Sequence, residues 1–136
     1  MNRNLLLGYQ LFTGASDACT GALLMIAPGV AHGLMRLGSP QGDLVYLSYI
    51  GAFVFAVGLC CLYGFVVVLR GDKKQQLATV WLLTALLRAS VAVFVLQRIL
   101  AGSLAPAWIT VAIFDGLCVL IQGLGLRKGW VAHAAA

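Results

Sequence analysis

Between Asp43 and Arg70 lie 26 consecutive residues without a charge, LVYLSYIGAFVFAVGLCCLYGFVVVL, from Leu44 to Leu69. A helix of about 20 apolar residues crosses a hydrocarbon core of roughly 30 Å, so this run spans a bilayer with some tilt. Its β-branched and aromatic residues would favour strands in water. In lipid an open strand leaves its backbone groups unpaired, and the helix is the state that satisfies them. The rest of the chain agrees: 62% of the 136 residues are hydrophobic, 10% are charged, and mean hydropathy is +0.98. A soluble domain this small has too much surface to cover with so few charges.

Three further stretches have the length to cross. They run over about 4–26, 77–100 and 106–126, and with 44–69 they make four spans in a single domain covering 1–136. Pro106 suits the first turn of the last span, and Pro28-Gly29 closes the first. The LLLGYQLF core after Arg3 has the look of a signal peptide, but apolar character resumes after Asp17 and continues to Ile26, which favours a retained helix. Residues 28–43 form the longest connection, in which Gly29–Leu37 reads as a short interfacial helix. Arg70-Gly71-Asp72-Lys73-Lys74 is a polar turn, and the short Ala101–Ala105 link makes its two helices an antiparallel hairpin. The expected fold is an all-α membrane protein, a four-transmembrane-helix bundle running up-down-up-down.

Nine Lys and Arg stand against four Asp, giving a net charge of +5. They flank apolar runs instead of sharing a polar face, which speaks for membrane topology and against a nucleic-acid partner. Arg3, Arg70, Lys73, Lys74, Arg127 and Lys128 fall on one side, and only Arg36 and Arg98 on the other. That asymmetry puts both termini in the cytoplasm. Trp81 and Trp108, near helix starts, are expected at the two interfaces.

Asp17, Arg88 and Asp115 lie inside the spans. Facing lipid, each would cost about 2.5–3.5 kcal/mol, so they should turn inward and meet. Arg88 is eleven residues beyond Leu77 and Asp115 eleven before Leu126, which sets both about 16 Å from the same membrane face. Asp17 comes out near 20 Å by the same rise. An Arg88–Asp115 pair is the simplest arrangement, with Asp17 as second acceptor for the guanidinium. Two carboxylates and one guanidinium leave a surplus negative charge that could serve a proton or cation. The plainer role is a polar lock fixing helix register, and it is favoured because no further catalytic group joins the three. Gln10, Thr13 and Thr20 extend the face of Asp17, Thr84 that of Arg88, and Cys118 and Gln122 that of Asp115. Such a stripe either lines a cavity or bonds helix to helix, and the second is preferred.

Gly51 and Gly58 are seven apart, and Gly14, Ala18 and Ala22 recur every four, spacings that let helices approach closely within one chain or between two copies. Cys60-Cys61 is a vicinal thiol pair, yet neighbouring helical residues point about 100° apart and do not aim at one metal ion. Cys19 and Cys118 sit in apolar surroundings as small hydrophobes do. His32 falls in the outer connection and His133 in the inner tail, so they cannot share a metal or haem. The sequence offers no serine with a histidine and carboxylate at matching depth, no HExxH and no phosphate-binding glycine loop. No metal and no cofactor is expected.

IAPGVAHGL at 26–34 and YIGAFVFAVGL at 49–59 resemble segments of the small DoxX-like bacterial membrane proteins. The resemblance implies four helices, a proline-closed first helix, a glycine-containing second one and a bacterial inner-membrane setting, with no carried-over functional residue. Small multidrug transporters are similar in having four helices and a carboxylate in the first, where Asp17 would stand. They use Glu there and a Trp- and Gly-rich third helix, which this chain lacks. Two functions are therefore expected in order: a non-enzymatic accessory or packing protein, working with lipid, with copies of itself or with another membrane protein; then a small proton- or cation-coupled transporter using Asp17 and Asp115. Lipid or quinone binding between the helices stands third, without a motif of its own.

Overall fold

The computed structural model describes residues 2–35, 44–71 and 74–131. Arg36, Leu37, residues 38–42, Asp43, Asp72, Lys73 and His133 lie outside the described residues, as does the side chain of Lys74. The described chain is all-helical: α1 Arg3–Ile26, α2 Pro28–Leu34, α3 Leu44–Arg70, α4 Lys74–Leu100, a 3-10 turn Pro106–Trp108 and α5 Ile109–Arg127. Leu44–Arg70, Gln75–Leu100 and Pro106–Arg127 are long and apolar enough to cross a membrane. α1 is long enough, at 24 residues, or about 36 Å. Gln10, Thr13, Ser16, Asp17 and Thr20 dilute its apolar content.

Local chemistry sets the ends. The Asn2 side chain caps α1 by accepting from the Leu5 N–H at 2.9 Å. Pro28 starts α2 where a missing N–H costs nothing. Gly102, at φ 70°, turns the chain out of α4 with a left-handed step that side-chained residues disfavour. Arg3 donates to the Leu69 carbonyl at 3.1 Å, joining the start of α1 to the end of α3.

Neighbouring helices run antiparallel, as their register shows. On the α1–α3 seam Gly14 faces Leu62, Gly58 faces Ala18, and Gly21 faces Gly51 and Phe55. A Cβ on Gly51 would lie 2.6 Å from Leu24 Cβ and 2.9 Å from the Gly21 carbonyl oxygen, so the two backbones are nearly in contact. Two seven-residue glycine steps running in opposite directions build this seam. α4 and α5 form the second hairpin.

The apolar core gathers at the end of the bundle that carries Arg3, Arg70 and Arg127. Leu6, Val67, Val68, Leu77, Trp81 and Val131 form it, with Leu7, Tyr9, Ala78 and Leu126 packed around. Trp81 is wholly buried there instead of standing at an interface. It lies seven residues before Arg88 and so shares its inward face. Its ring sits against Gly125, where a Cβ would come 3.1 Å from Cη2, and tilts on Tyr9 at 5.5 Å between centroids.

Candidate functional site

The interior is laid out by one repeated step. Leu6, Gln10, Thr13 and Asp17 follow one another at four, three and four residues along α1, and Leu77, Trp81, Thr84 and Arg88 do the same along α4. α5 runs the other way and presents Asp115, Cys118, Gln122 and Gly125 at three, four and three. All the hydrogen-bonding members of these series are buried. Alternating three- and four-residue steps keep side chains on one helix face, so the three helices bring like layers to like depth.

Arg88 stands at the centre of the layer farthest from the apolar core. Its Nη1 donates to Asp115 Oδ1 at 2.6 Å, and its Nη2 donates to Asp17 Oδ2. The two acceptors come from different hairpins, so one guanidinium ties α1 to α5 across α4. Its planar fork offers separate donors in fixed directions, which an ammonium would not. The Arg88 Cζ also lies 5.4 Å from the centroid of the Phe114 ring. The Arg88 side chain is 3% exposed, whereas those of Asp17 and Asp115 keep 11% and 12%. The cluster carries a formal surplus of one negative charge.

The layer towards the apolar core holds Thr13, Thr84, Cys61 and Cys118. The Thr13 hydroxyl donates back to the Tyr9 carbonyl at 2.8 Å, and that of Thr84 to the Val80 carbonyl at 2.7 Å. Gln122 Nε2 then donates to Thr84 Oγ1 at 2.8 Å, which joins α5 to α4 one turn below the ion pairs. Tyr9 reaches the Cys118 carbonyl at 3.5 Å. Gln10 lies over Gly64 on α3, where the absent side chain makes room for its amide. Cys61 is buried and its neighbour Cys60 exposed, as their angular separation on a helix requires.

Compared with protein families, with curated proteins and with solved structures, the chain matches none.

The structure thus brings Asp17, Arg88 and Asp115 together and sets Gln122 on Thr84. Thr13 is turned to its own backbone, and Gln10 goes to the α3 side, over Gly64. His32 lies in α2, remote in sequence from these layers. Among the described residues no group of three or more His, Cys, Asp and Glu could hold a metal ion. Three participants in the interior are not expected there from the sequence: Trp81, which reads as an interfacial residue but is wholly buried, and the glycines Gly64 and Gly125 that receive Gln10 and Trp81. The seven-residue step from Trp81 to Arg88 was a usable signal for the first. Gly64 and Gly125 fall outside the seven- and four-residue steps of small residues, so only the side chain that faces each reveals them.

Proposed function

We propose that the chain is a non-enzymatic membrane protein of four spans, with both termini in the cytoplasm, in which Asp17, Arg88 and Asp115 lock two helical hairpins into one accessory or interaction unit. The observation that carries this is the double pairing of a 3%-exposed Arg88 with carboxylates from two other helices. In a low-dielectric interior such a pairing fixes which helices meet and at what register. A fourth crossing, by α1, is supported by its length and by the exposure of Leu5, Leu11, Phe12 and Leu23 on the face away from its polar residues. The bacterial inner membrane is the setting we propose, on the ground of the 26–34 and 49–59 resemblance. The unit works by lateral contact, with a second copy or with another membrane protein.

A proton- or cation-coupled carrier is the second reading. The surplus negative charge and the residual exposure of both carboxylates favour it. One experiment separates the two. Purified protein and the Asp17→Asn and Asp115→Asn variants are reconstituted into liposomes for proton and monovalent-cation flux, and the same preparations are unfolded in detergent. The lock predicts lost stability in the variants and no flux in any of them. Flux in the parent that vanishes in a variant of unchanged stability would put the carrier first.

A further inference from the structure

Among the described residues five buried polar atoms find no hydrogen-bond partner: Gln10 Nε2 and Oε1, Gln122 Oε1, Trp81 Nε1 and Arg88 Nε. Gln10, Gln122 and Trp81 are 0% exposed and Arg88 is 3%. They occupy one neighbourhood. Gln122 bonds Thr84, whose hydroxyl also lies 3.3 Å from the Trp81 carbonyl. Tyr9, next to Gln10, lies tilted against Trp81, and Gln10 and Leu77 meet over the same glycine, Gly64. Gln10 is seven residues from Asp17, Trp81 seven from Arg88 and Gln122 seven from Asp115. On each helix this is two turns, or about 10 Å, so the orphaned groups of Gln10, Gln122 and Trp81 lie at one level beside the apolar core, on the side of Arg88 and its carboxylates.

Exchanging the oxygen and nitrogen of the Gln10 amide does not help, because both ends lack a partner. Within a bundle surrounded by hydrocarbon, groups like these are satisfied from inside or not at all. We infer that this layer is an internal hydration site, built by Gln10, Trp81, Gln122 and the back of Arg88. The chemistry selects water over other guests. Three of the orphans are N–H donors and two are carbonyl acceptors. An anion would satisfy only the donors and a cation only the acceptors, so the guest is neutral and both gives and takes hydrogen bonds. The full enclosure of both glutamines and of the indole keeps it small. A buried water makes about three hydrogen bonds, so roughly two waters account for five orphan atoms. Leu6, Val67, Val68, Leu77 and Val131 close this layer off from the end of the bundle carrying Arg3 and Arg127. The consequence is that Arg88 has carboxylates on its terminal nitrogens and water on its Nε. The inference holds whichever reading of the function is right.

The test uses the full chain in lipid nanodiscs with 15N-labelled tryptophan. The three indole signals are assigned through Trp108→Phe and Trp130→Phe, so Trp81 itself is left in place. The Trp81 indole N–H is expected to give a cross-peak to long-lived bound water. Gln10→Leu and Gln122→Leu should each weaken that cross-peak, and together abolish it, with the Trp108 and Trp130 signals unmoved as the check on folding. A parent protein without a water cross-peak at the Trp81 indole overturns the site. A cross-peak that survives in the folded double variant also overturns it, since the amides would then not be its partners. If the double variant does not fold, the parent measurement alone decides.

Discussion

Replacing Arg88 by Gln removes the one cation between Asp17 and Asp115, whose residues are only 8% and 9% exposed. Both carboxylates are then left buried, facing each other without the guanidinium that held each of them. Breaking a buried ion pair from one side costs about 3–5 kcal/mol in general, and the change at Arg88 belongs at the upper end because it strands two charges. Asp115→Asn is expected to be milder. Arg88 keeps Asp17, and one charge-assisted hydrogen bond is weakened, a loss of about 1.5–3 kcal/mol. The double variant Arg88→Gln/Asp115→Asn strands only Asp17 and should fall short of the summed single losses by about 1–3 kcal/mol. Unfolding of all four proteins by a graded denaturing detergent, at one pH and lipid composition, measures these differences. At about 1.4 kcal/mol per factor of ten in the equilibrium constant, the shortfall is well resolved. Strictly additive losses, or an Arg88→Gln variant within about 0.5 kcal/mol of the parent, the range of an ordinary surface change, would refute the lock.

The α1–α3 seam makes a sharper demand on sterics. Gly21→Val should abolish folded protein in detergent, because the new Cβ would lie 2.6 Å from Phe55 Cα and 2.7 Å from the Gly51 carbonyl oxygen, whereas Gly116→Ala, which meets nothing within 4 Å, should stabilise α5 by up to about 1 kcal/mol; equal yields of the two would refute the seam. Cys60→Ala is expected to be neutral, since Cys60 is exposed, and Cys61→Ala to cost about 1 kcal/mol as a small buried deletion; thermal melting of each variant compares them, and bound metal lost in either would contradict the packing role. For topology, a reporter fused after Ala136 should be active only as a cytoplasmic fusion and one inserted at 38–42 only as an external one; the same answer from both sites would remove either a span or the orientation.

The long uncharged run from Leu44 to Leu69 requires a helix in lipid whatever its contacts, because hydrocarbon offers an unpaired backbone nothing. The cost of charge in lipid likewise makes Asp17, Arg88 and Asp115 inward-facing from the sequence alone, and similar depths along the helices make them candidates for one another. Those are properties of single helices in a solvent of known kind, so a single chain carries them. Which atom pairs with which is not of that kind. The division of the Arg88 fork between two carboxylates, the burial of Trp81 and the placing of Gln10 over Gly64 depend on the rotation and separation of facing helices. Gly14, Gly21, Gly51 and Gly58 set them between α1 and α3, and Gly64 and Gly125 make room for Gln10 and Trp81, effects that exist only when another helix lies against the glycine. Hydropathy likewise recognises three of the helices as long and apolar enough to cross. For α1 it falls short because Gln10, Thr13 and Asp17 lower it, and that these side chains are buried is decided only by tertiary structure, which sets the way a side chain on a helix is turned.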